Sequence, residues 1–373
     1  MDGSSAPNQA AHNQGVTPRI RPDLASIPAY VPGRNFPGAI KLASNETTIG
    51  PLPGVRDAVA DAVANANRYP DNAAVALIEA LAAFLNVEPA NVAAGCGSVT
   101  LCQELVQITC DQGDEVIFAW RSFEAYPVVA QVGHAVSVKV PLTEEFGHDL
   151  DAMLAAITDR TRLIFICNPN NPTGNALSRA ELESFLDAVP THIVVALDEA
   201  YYEYSRSDSD GIELFRSRPN VVVLRTFSKA YGLAGIRVGY AVADPEIITA
   251  LGKVHTPFTV SVVAQAAAIA SLAAADELLA RTEGVIAERT RVRSALIEAG
   301  YTVPESSANF VYLPLGELSP GFAEASTEAG ILIRQYGTEG VRMTIGDPDE
   351  NDAFLAFART DAARRLAGIG ISA

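Results

Sequence analysis

Between residues 54 and 250, helical and strand patterns alternate along the chain, and this alternation restricts the possible folds more than any other feature. Short β-branched runs, typical of buried strands, are separated by segments whose apolar residues recur at helical spacing. The alternation predicts an α/β fold with a mostly parallel sheet and helices on both faces. The strand-like runs are DEVIFA, AVSVKV, RLIFIC, HIVVAL, NVVVLR and IRVGYAVA, and the helix-like ones are VRDAVADAVANAN, NAAVALIEALAAFL, VTLCQELVQITC, LDAMLAAI and SRAELESFLDAV.

After Pro245 the pattern changes to long helices, followed by the short strands ANFVYLP, ILIRQY and VRMTIG and a final helix. We therefore expect a large domain over residues 51–250 and a smaller α+β domain over residues 251–373, which a chain of 373 residues is long enough to form. Residues 19–50 are rich in Pro and Gly and are expected to pack on the smaller domain. The polar residues 1–18 are expected to form a disordered tail.

Composition argues against several classes of partner. The chain has 27 Lys and Arg against 44 Asp and Glu, a net charge of −17, whereas nucleic-acid binding needs clustered positive charge. The apolar run from Val260 to Ala275 is shorter than the roughly 20 residues of a membrane-spanning helix, and we expect a buried helix there. The polar N-terminus lacks the charged start and apolar middle of a secretory signal, and the cysteine pattern favours a cytoplasmic protein. Cysteines without metal-site spacing are expected to be reduced core residues: Cys96, Cys102, Cys110 and Cys167.

Polar residues follow three of the predicted strands. RLIFIC is followed by NPNNPTG from Asn168, HIVVAL by DEAYYEY from Asp198, and NVVVLR by TFSK, which ends at Lys229. Taken singly, these features are explained by a proline-rich turn, a helix cap and a surface lysine. Ligands of open parallel sheets bind beyond the carboxyl ends of the strands, so the three together favour a functional site.

An amine and a carboxylate at neighbouring strand ends indicate a particular chemistry. Burial among small residues lowers the pKa of a lysine, and Lys229 then becomes a nucleophile able to form a Schiff base. A carboxylate such as Asp198 suits a pyridinium nitrogen, because its charge keeps that nitrogen protonated. The pair predicts pyridoxal phosphate as the cofactor.

A phosphate group also needs a binding site, and AAGCGSVTLCQEL looks like a glycine loop that opens a helix, where backbone N–H groups bind anions. Gly95 and Gly97 also match part of the GxGxxG motif of nicotinamide-binding proteins, but Thr100 stands at the third glycine position. That rival interpretation is the weaker one. The predicted phosphate ligands are Gly97, Ser98, Val99, Thr226, Ser228 and Arg237.

Several motifs together carry a family resemblance. They are SNE at Ser44, NPNNPTG at Asn168, DEAY at Asp198, TFSKAYGLAGIRVGY at Thr226 and VRMTIG at Val341. In this order they resemble the pyridoxal-phosphate aminotransferases of fold type I, in the histidinol-phosphate and aromatic branch, and the likeness covers about residues 20–365. The resemblance implies a seven-stranded, mostly parallel sheet in the large domain and a transaminase activity.

The resemblance also implies roles for individual residues around the cofactor ring. Lys229 is expected to form the internal aldimine and to move the proton between Cα and C4′. Asp198 is expected to pair with the ring nitrogen, and Tyr201 and Asn171 to hydrogen-bond the ring's O3′. Phe123 in WRSFEAY matches the residue that stacks on the ring, although the same pattern fits a core phenylalanine.

Other positions match residues for the partner subunit and the substrate. Tyr69 matches a tyrosine that reaches the cofactor phosphate of the neighbouring subunit, which implies a homodimer with shared active sites; a solvent-facing tyrosine is the simpler interpretation. Arg342 matches the arginine that binds the substrate carboxylate with a bidentate fork, with Asn45 nearby. Arg334 matches an arginine that binds the substrate phosphate in histidinol-phosphate enzymes, and Tyr30 lies in the segment that covers the substrate.

Two departures from the histidinol-phosphate pattern favour an aromatic substrate. SNETTIGPLP lacks the Asn-Pro-Tyr-Gly that usually follows the glutamate and resembles the aromatic aminotransferases of actinobacteria, and GCGSV replaces an acidic pair. We therefore expect transfer of the amino group between Phe, Tyr or Trp and 2-oxo acids. Histidinol phosphate remains an alternative substrate, and amino acid decarboxylation a second one, since the cofactor stabilises whichever carbanion forms.

Overall fold

The computed structural model describes residues 20–27 and 36–370. Two compact units are present, one up to Val31 and one from Pro32 onward. The described part of the first contains a short 3-10 helix, Pro22–Ser26. Tyr30 and the predicted tail over residues 1–18 lie outside the described residues.

A seven-stranded sheet forms the centre of the second unit, in the order β2-β8-β7-β6-β5-β3-β4. Strand β8 runs antiparallel to both of its neighbours, and the other neighbouring pairs are parallel. This confirms the predicted α/β fold with a mostly parallel sheet. The strands are β2 (Val92–Gly95), β3 (Glu115–Trp120), β4 (Val136–Pro141), β5 (Thr161–Cys167), β6 (Val194–Asp198), β7 (Val221–Thr226) and β8 (Gly239–Val242), and β1 (Ile40–Leu42) belongs elsewhere.

Helices cover both faces of this sheet, and the strand sequences show why. Along β5, Ile164 and Ile166 pack into one hydrophobic cluster while Leu163 and Phe165 pack into another. A strand that is buried on both faces needs an unbroken apolar run, which is what RLIFIC and NVVVLR provide. The helices up to this point of the chain are α1 (Pro53–Val63), α2 (Val75–Leu85), α3 (Ser98–Thr109), α4 (Ala125–Val132), α5 (Leu150–Ala155), α6 (Arg179–Ala188), α7 (Gly211–Phe215) and α8 (Pro245–Val254).

A second, four-stranded sheet has the order β1-β10-β11-β9 and packs its own hydrophobic cluster against the C-terminal helices. Strand β1 pairs in parallel with β10, so residues 40–42 join this sheet. The domain division at residue 250 stays a prediction, because the residues from Pro32 onward form one compact unit. The remaining elements are α9 (Val262–Ala273), α10 (Ala275–Glu298), β9 (Phe310–Leu313), α11 (Ser319–Glu328), β10 (Ile331–Tyr336), β11 (Gly340–Thr344), α12 (Pro348–Ala358) and α13 (Asp361–Leu366).

The apolar run after Val260 forms α9, which buries one face of small residues in the protein interior. Among the described residues no single helix has the length and apolar character to cross a membrane; α9 and α10 reach that threshold only as a pair bent by 80°. All four cysteines are free. Cys102 and Cys167 are core residues, but Cys96 and Cys110 are only half-buried because they lie at the two ends of α3.

Candidate active site

The carboxyl ends of β5, β6 and β7 meet at one edge of the central sheet. Cys167 at the end of β5 is aligned with Asp198 at the end of β6, and Asp198 is aligned with Leu224 of β7. The Asn168 N–H donates to the Asp198 carbonyl oxygen at 2.9 Å, so the NPNNPTG segment begins directly beside the carboxylate. The amide, carboxylate and amine motifs of the sequence therefore lie together.

Lys229 is half-buried at this edge, three residues beyond the end of β7. Its Nζ donates to the Ser44 carbonyl oxygen at 3.2 Å and lies 5.9 Å from the centre of the Tyr201 ring. Burial, followed by the positive charge of Arg342, lowers the pKa of the Lys229 amine to about 8. A substantial fraction of the amine is therefore neutral near physiological pH and available as a nucleophile or base.

Asp198 is buried, and one of its carboxylate oxygens lacks a partner. Oδ2 accepts a hydrogen bond of 2.8 Å from the Tyr126 hydroxyl, whereas Oδ1 has no hydrogen-bond partner among the described residues. Burial raises the pKa of the Asp198 carboxyl to about 6, although the Tyr126 hydrogen bond opposes this shift. Buried polar atoms are normally paired, so the free oxygen fits a cationic N–H donor from a bound molecule.

A cluster of anion-binding groups lies beside Lys229. Gly97 caps the N-terminus of α3 with a φ of +78°, and a Cβ at this position would collide with the Arg237 guanidinium. Arg237 Nη1 donates to Ser228 Oγ at 3.2 Å, and Thr226 Oγ1 donates to the same oxygen at 3.0 Å. Ser98 and Val99 form the first turn of α3, where backbone N–H groups lack helical acceptors. The structure thus brings together all of the predicted phosphate ligands.

Tyr201 and Asn45 form a buried pair on the other side of Lys229. Asn45 Nδ2 donates to the Tyr201 hydroxyl at 2.8 Å. Asn45 is itself held by Thr344 of β11, whose hydroxyl donates to Asn45 Oδ1 at 3.0 Å and accepts from the Asn45 N–H at 2.9 Å. The segment around residue 45 is therefore joined to the central site on one side and to the second sheet on the other.

Arg342 of β11 is a buried guanidinium with neutral partners. It donates to Asn171 Oδ1, to the Tyr336 hydroxyl at 2.7 Å and to the Ala43 carbonyl oxygen at 2.6 Å. None of its hydrogen-bond partners among the described residues is a carboxylate, and its Nε is buried without a partner. A buried, uncompensated arginine of this kind is suited to bind a carboxylate.

Three other predicted residues have partners of their own. Phe123 is half-buried and contacts Tyr126 edge-on, with ring centres 5.5 Å apart. Tyr69 is 82% exposed and stacks on Phe258 at 4.5 Å, so within this chain it faces solvent. Arg334 forms a 2.7 Å ion pair with a glutamate. Tyr30 lies outside the described residues.

Two site residues were missed by sequence reasoning. Tyr126 donates to Asp198, and Tyr336 contacts both Arg342 and Asn171. Their spacing places each near a predicted site residue but does not reveal these hydrogen-bond partners. Tyr126 lies three residues after Phe123 at the start of a helix, and Tyr336 lies two residues after Arg334 on the same face of a strand.

The chain is similar to known proteins over nearly its whole length. The family model for aminotransferase class I and II matches residues 37–357. The aromatic amino acid aminotransferase of Rhodococcus erythropolis strain PR4 is 92% identical over 358 residues, covering 96% of this chain and 100% of that protein. The protein of the same name from Rhodococcus jostii strain RHA1 is 75% identical, with the same coverage.

Similarity to solved structures extends this result to the fold. The histidinol-phosphate aminotransferase from Sinorhizobium meliloti, solved in complex with pyridoxal-5'-phosphate, matches with a TM-score of 0.84 and 30% identity, covering 96% of this chain and 100% of that one. An aspartate aminotransferase from Thermus thermophilus matches with a TM-score of 0.76 at 25% identity, covering 88% and 91%. The chain is a transaminase and belongs to the class I and II aminotransferases.

Proposed function

We propose that this transaminase uses pyridoxal phosphate to move an amino group between aromatic amino acids and 2-oxo acids. The geometric observation that carries the proposal is the buried Asp198 carboxylate with one unpartnered oxygen, at the same sheet edge as an amine whose pKa is lowered. The aromatic substrate class is supported by the name of the Rhodococcus erythropolis relative at 92% identity.

The residues present fit this cofactor. The free Asp198 oxygen suits a protonated ring nitrogen, Tyr201 and Asn171 suit the ring hydroxyl, and Phe123 suits the ring face. When bound, pyridoxal phosphate supplies an aldehyde that captures amines and a ring that withdraws electrons from the substrate. The phosphate is assigned to the anion-binding groups described above: Gly97, Ser98, Val99, Thr226, Ser228 and Arg237.

The chain's own residues supply binding and proton transfer. Lys229 moves the proton at the substrate Cα, and a pKa of about 8 allows its amine to accept and return that proton near neutral pH. Arg342 binds the substrate carboxylate through two parallel hydrogen bonds. Asn45 donates a hydrogen bond that holds the Tyr201 hydroxyl in place. Asp198 holds a proton on the ring nitrogen by charge.

The substrate is tested by measuring kcat/KM for phenylpyruvate and for imidazole acetol phosphate as amine acceptors. We expect phenylpyruvate to be preferred. A strong preference for the phosphate compound would instead identify a histidinol-phosphate enzyme. Release of carbon dioxide from an amino acid without formation of a 2-oxo acid would identify a decarboxylase, and absence of a visible cofactor absorption band in the purified protein would refute the cofactor.

We further infer a homodimer with shared active sites and a cytoplasmic location. The exposed Tyr69 ring, which is accessible to a neighbouring subunit, supports the first, and four free cysteines support the second. Mixing inactive Lys229→Ala chains with inactive Tyr69→Ala chains is expected to restore activity, because each heterodimer keeps one intact site. Verified heterodimers without recovery would show that Tyr69 does not complete a neighbouring site.

A further inference from the structure

Two arginines lie opposite each other at the substrate end of the site. Arg334 of β10 and Arg342 of β11 are register partners in an antiparallel pair, so their side chains share one face of the sheet. Tyr336 lies on the same face, and its ring centre is 5.9 Å from the Arg334 guanidinium carbon and 5.6 Å from that of Arg342. Like charges directly opposite each other destabilise a sheet, so this pair needs compensation.

The two arginines are compensated differently. Arg334 Nη2 donates to Glu124 Oε2 at 2.7 Å, and this ion pair neutralises its charge. The hydrogen-bond partners of Arg342 are an amide, a hydroxyl and a carbonyl oxygen, which leave its positive charge in place. The sheet face therefore presents one net positive charge, which matches a substrate with a single carboxylate.

We propose that Glu124 is a specificity-determining residue that keeps Arg334 from serving as a second anion site. A phosphate monoester carries about −1.5 to −2 charges near pH 7 and needs more than one cation to offset its desolvation. With Glu124 in place, such a group meets an arginine that is already paired and a carboxylate that repels it. This inference rests on the proposed aromatic function and explains how an arginine suited to phosphate is made unavailable.

A second ion pair gives the matched control. Arg121, from the same loop as Glu124, makes two hydrogen bonds to Glu339 in the turn between β10 and β11. The Glu124 and Glu339 side chains are both 41% exposed, and both join the same loop to the same pair of strands. Of these two glutamates, Glu124 is the one that pairs with the arginine opposite Arg342. Replacing either glutamate therefore removes one ion pair that holds this loop to the strands, whereas only replacing Glu124 removes the carboxylate from Arg334.

The experiment compares kcat/KM for imidazole acetol phosphate and phenylpyruvate in the holoenzyme. Glu124→Gln is expected to raise the ratio of the first to the second by about tenfold, since the ion pair is partly solvated. Glu339→Gln is expected to change that ratio by less than about twofold. Glu124→Asp keeps the charge and should keep the wild-type ratio, and Arg334→Gln added to Glu124→Gln should cancel the gain.

An unchanged ratio in a folded Glu124→Gln enzyme, or an equal change in Glu339→Gln, would overturn the inference. If Glu124→Gln does not fold, Glu124→Ser replaces it. We then expect a raised ratio in Glu124→Ser alone and the wild-type ratio when Arg334→Gln is added. The wild-type enzyme reports separately on the proposed function: its own preference for the phosphate compound would refute that function, whatever the variants do.

Discussion

The two ends of the candidate site are built in different ways. The proposed cofactor end, defined by Gly97, Asp198, Thr226, Lys229 and Arg237, is assembled near the ends of strands of one sheet and the beginning of a helix. The substrate end, defined by Asn45, Arg334, Tyr336 and Arg342, joins two segments about 300 positions apart in sequence, through contacts such as that of Asn45 with Thr344. The backbone of the main sheet sets the positions of the residues at the first end. The second end depends on side-chain contacts, which single substitutions can change.

The strongest test of the cofactor end is Lys229→Ala. Among the described site residues, Lys229 supplies the only amine at the strand edge. Its removal takes away both the nucleophile and the proton carrier, so we expect activity to fall by about 10⁴-fold or more. The visible absorption band of the cofactor should disappear while the melting temperature of the apo-protein stays near that of the wild type. An unchanged band would show that another group holds the cofactor.

The matching test of the substrate end is Arg342→Lys, with Arg334→Lys as its control. A lysine keeps the charge of Arg342 but cannot form two parallel bonds to a carboxylate, so kcat/KM for phenylpyruvate should fall by about 10²- to 10³-fold. The cofactor band should persist, because the cofactor end is intact. Arg334→Lys should cost far less, since its charge is already paired with Glu124. Equal losses would mean that both arginines bind the carboxylate.

The same difference explains what the sequence could predict. Lys229, Asp198 and the strand-end candidates for phosphate binding could be predicted to lie together because a residue that ends a buried strand has a known position in an open parallel sheet. Tyr126 and Tyr336 were missed, because their roles depend on which side chain reaches across to Asp198 or Arg342 in three dimensions. The pairing of Arg334 with Glu124 was also invisible, since the two residues are 210 positions apart.

A smaller effect is expected on stability, from the buried carboxyl of Asp198. Its pKa is raised from 3.8 to about 6, so the folded protein keeps a proton that the unfolded chain loses. Folding stability of the apo-protein therefore decreases as pH rises from about 4 to 6, by up to about 2–3 kcal/mol.

Asp198→Asn removes this titration. The free energy of unfolding of the variant minus that of the wild type should therefore be larger at pH 8 than at pH 4, as measured by urea unfolding of the apo-protein. Tyr126→Phe is the control, because it deletes the hydrogen bond that lowers the Asp198 pKa and should extend the loss of stability to higher pH. A difference between Asp198→Asn and wild type that does not vary with pH would contradict the assignment.

The smallest expected effect tests whether the two ends are independent. Only the neutral Lys229 amine attacks an aldehyde, so the rate at which apo-protein captures pyridoxal phosphate should rise about tenfold from pH 6.5 to 8, with a midpoint near the pKa of about 8. The charge of Arg342 is the second cause of that lowered pKa, after burial. Arg342→Gln should therefore move the midpoint to higher pH, because removing a nearby positive charge favours the protonated amine, whereas Arg334→Gln should leave it in place. An unchanged midpoint in Arg342→Gln would show that Arg342 does not influence the Lys229 amine. A shifted midpoint would show that the arginine proposed to bind the carboxylate also lowers the pKa of the lysine.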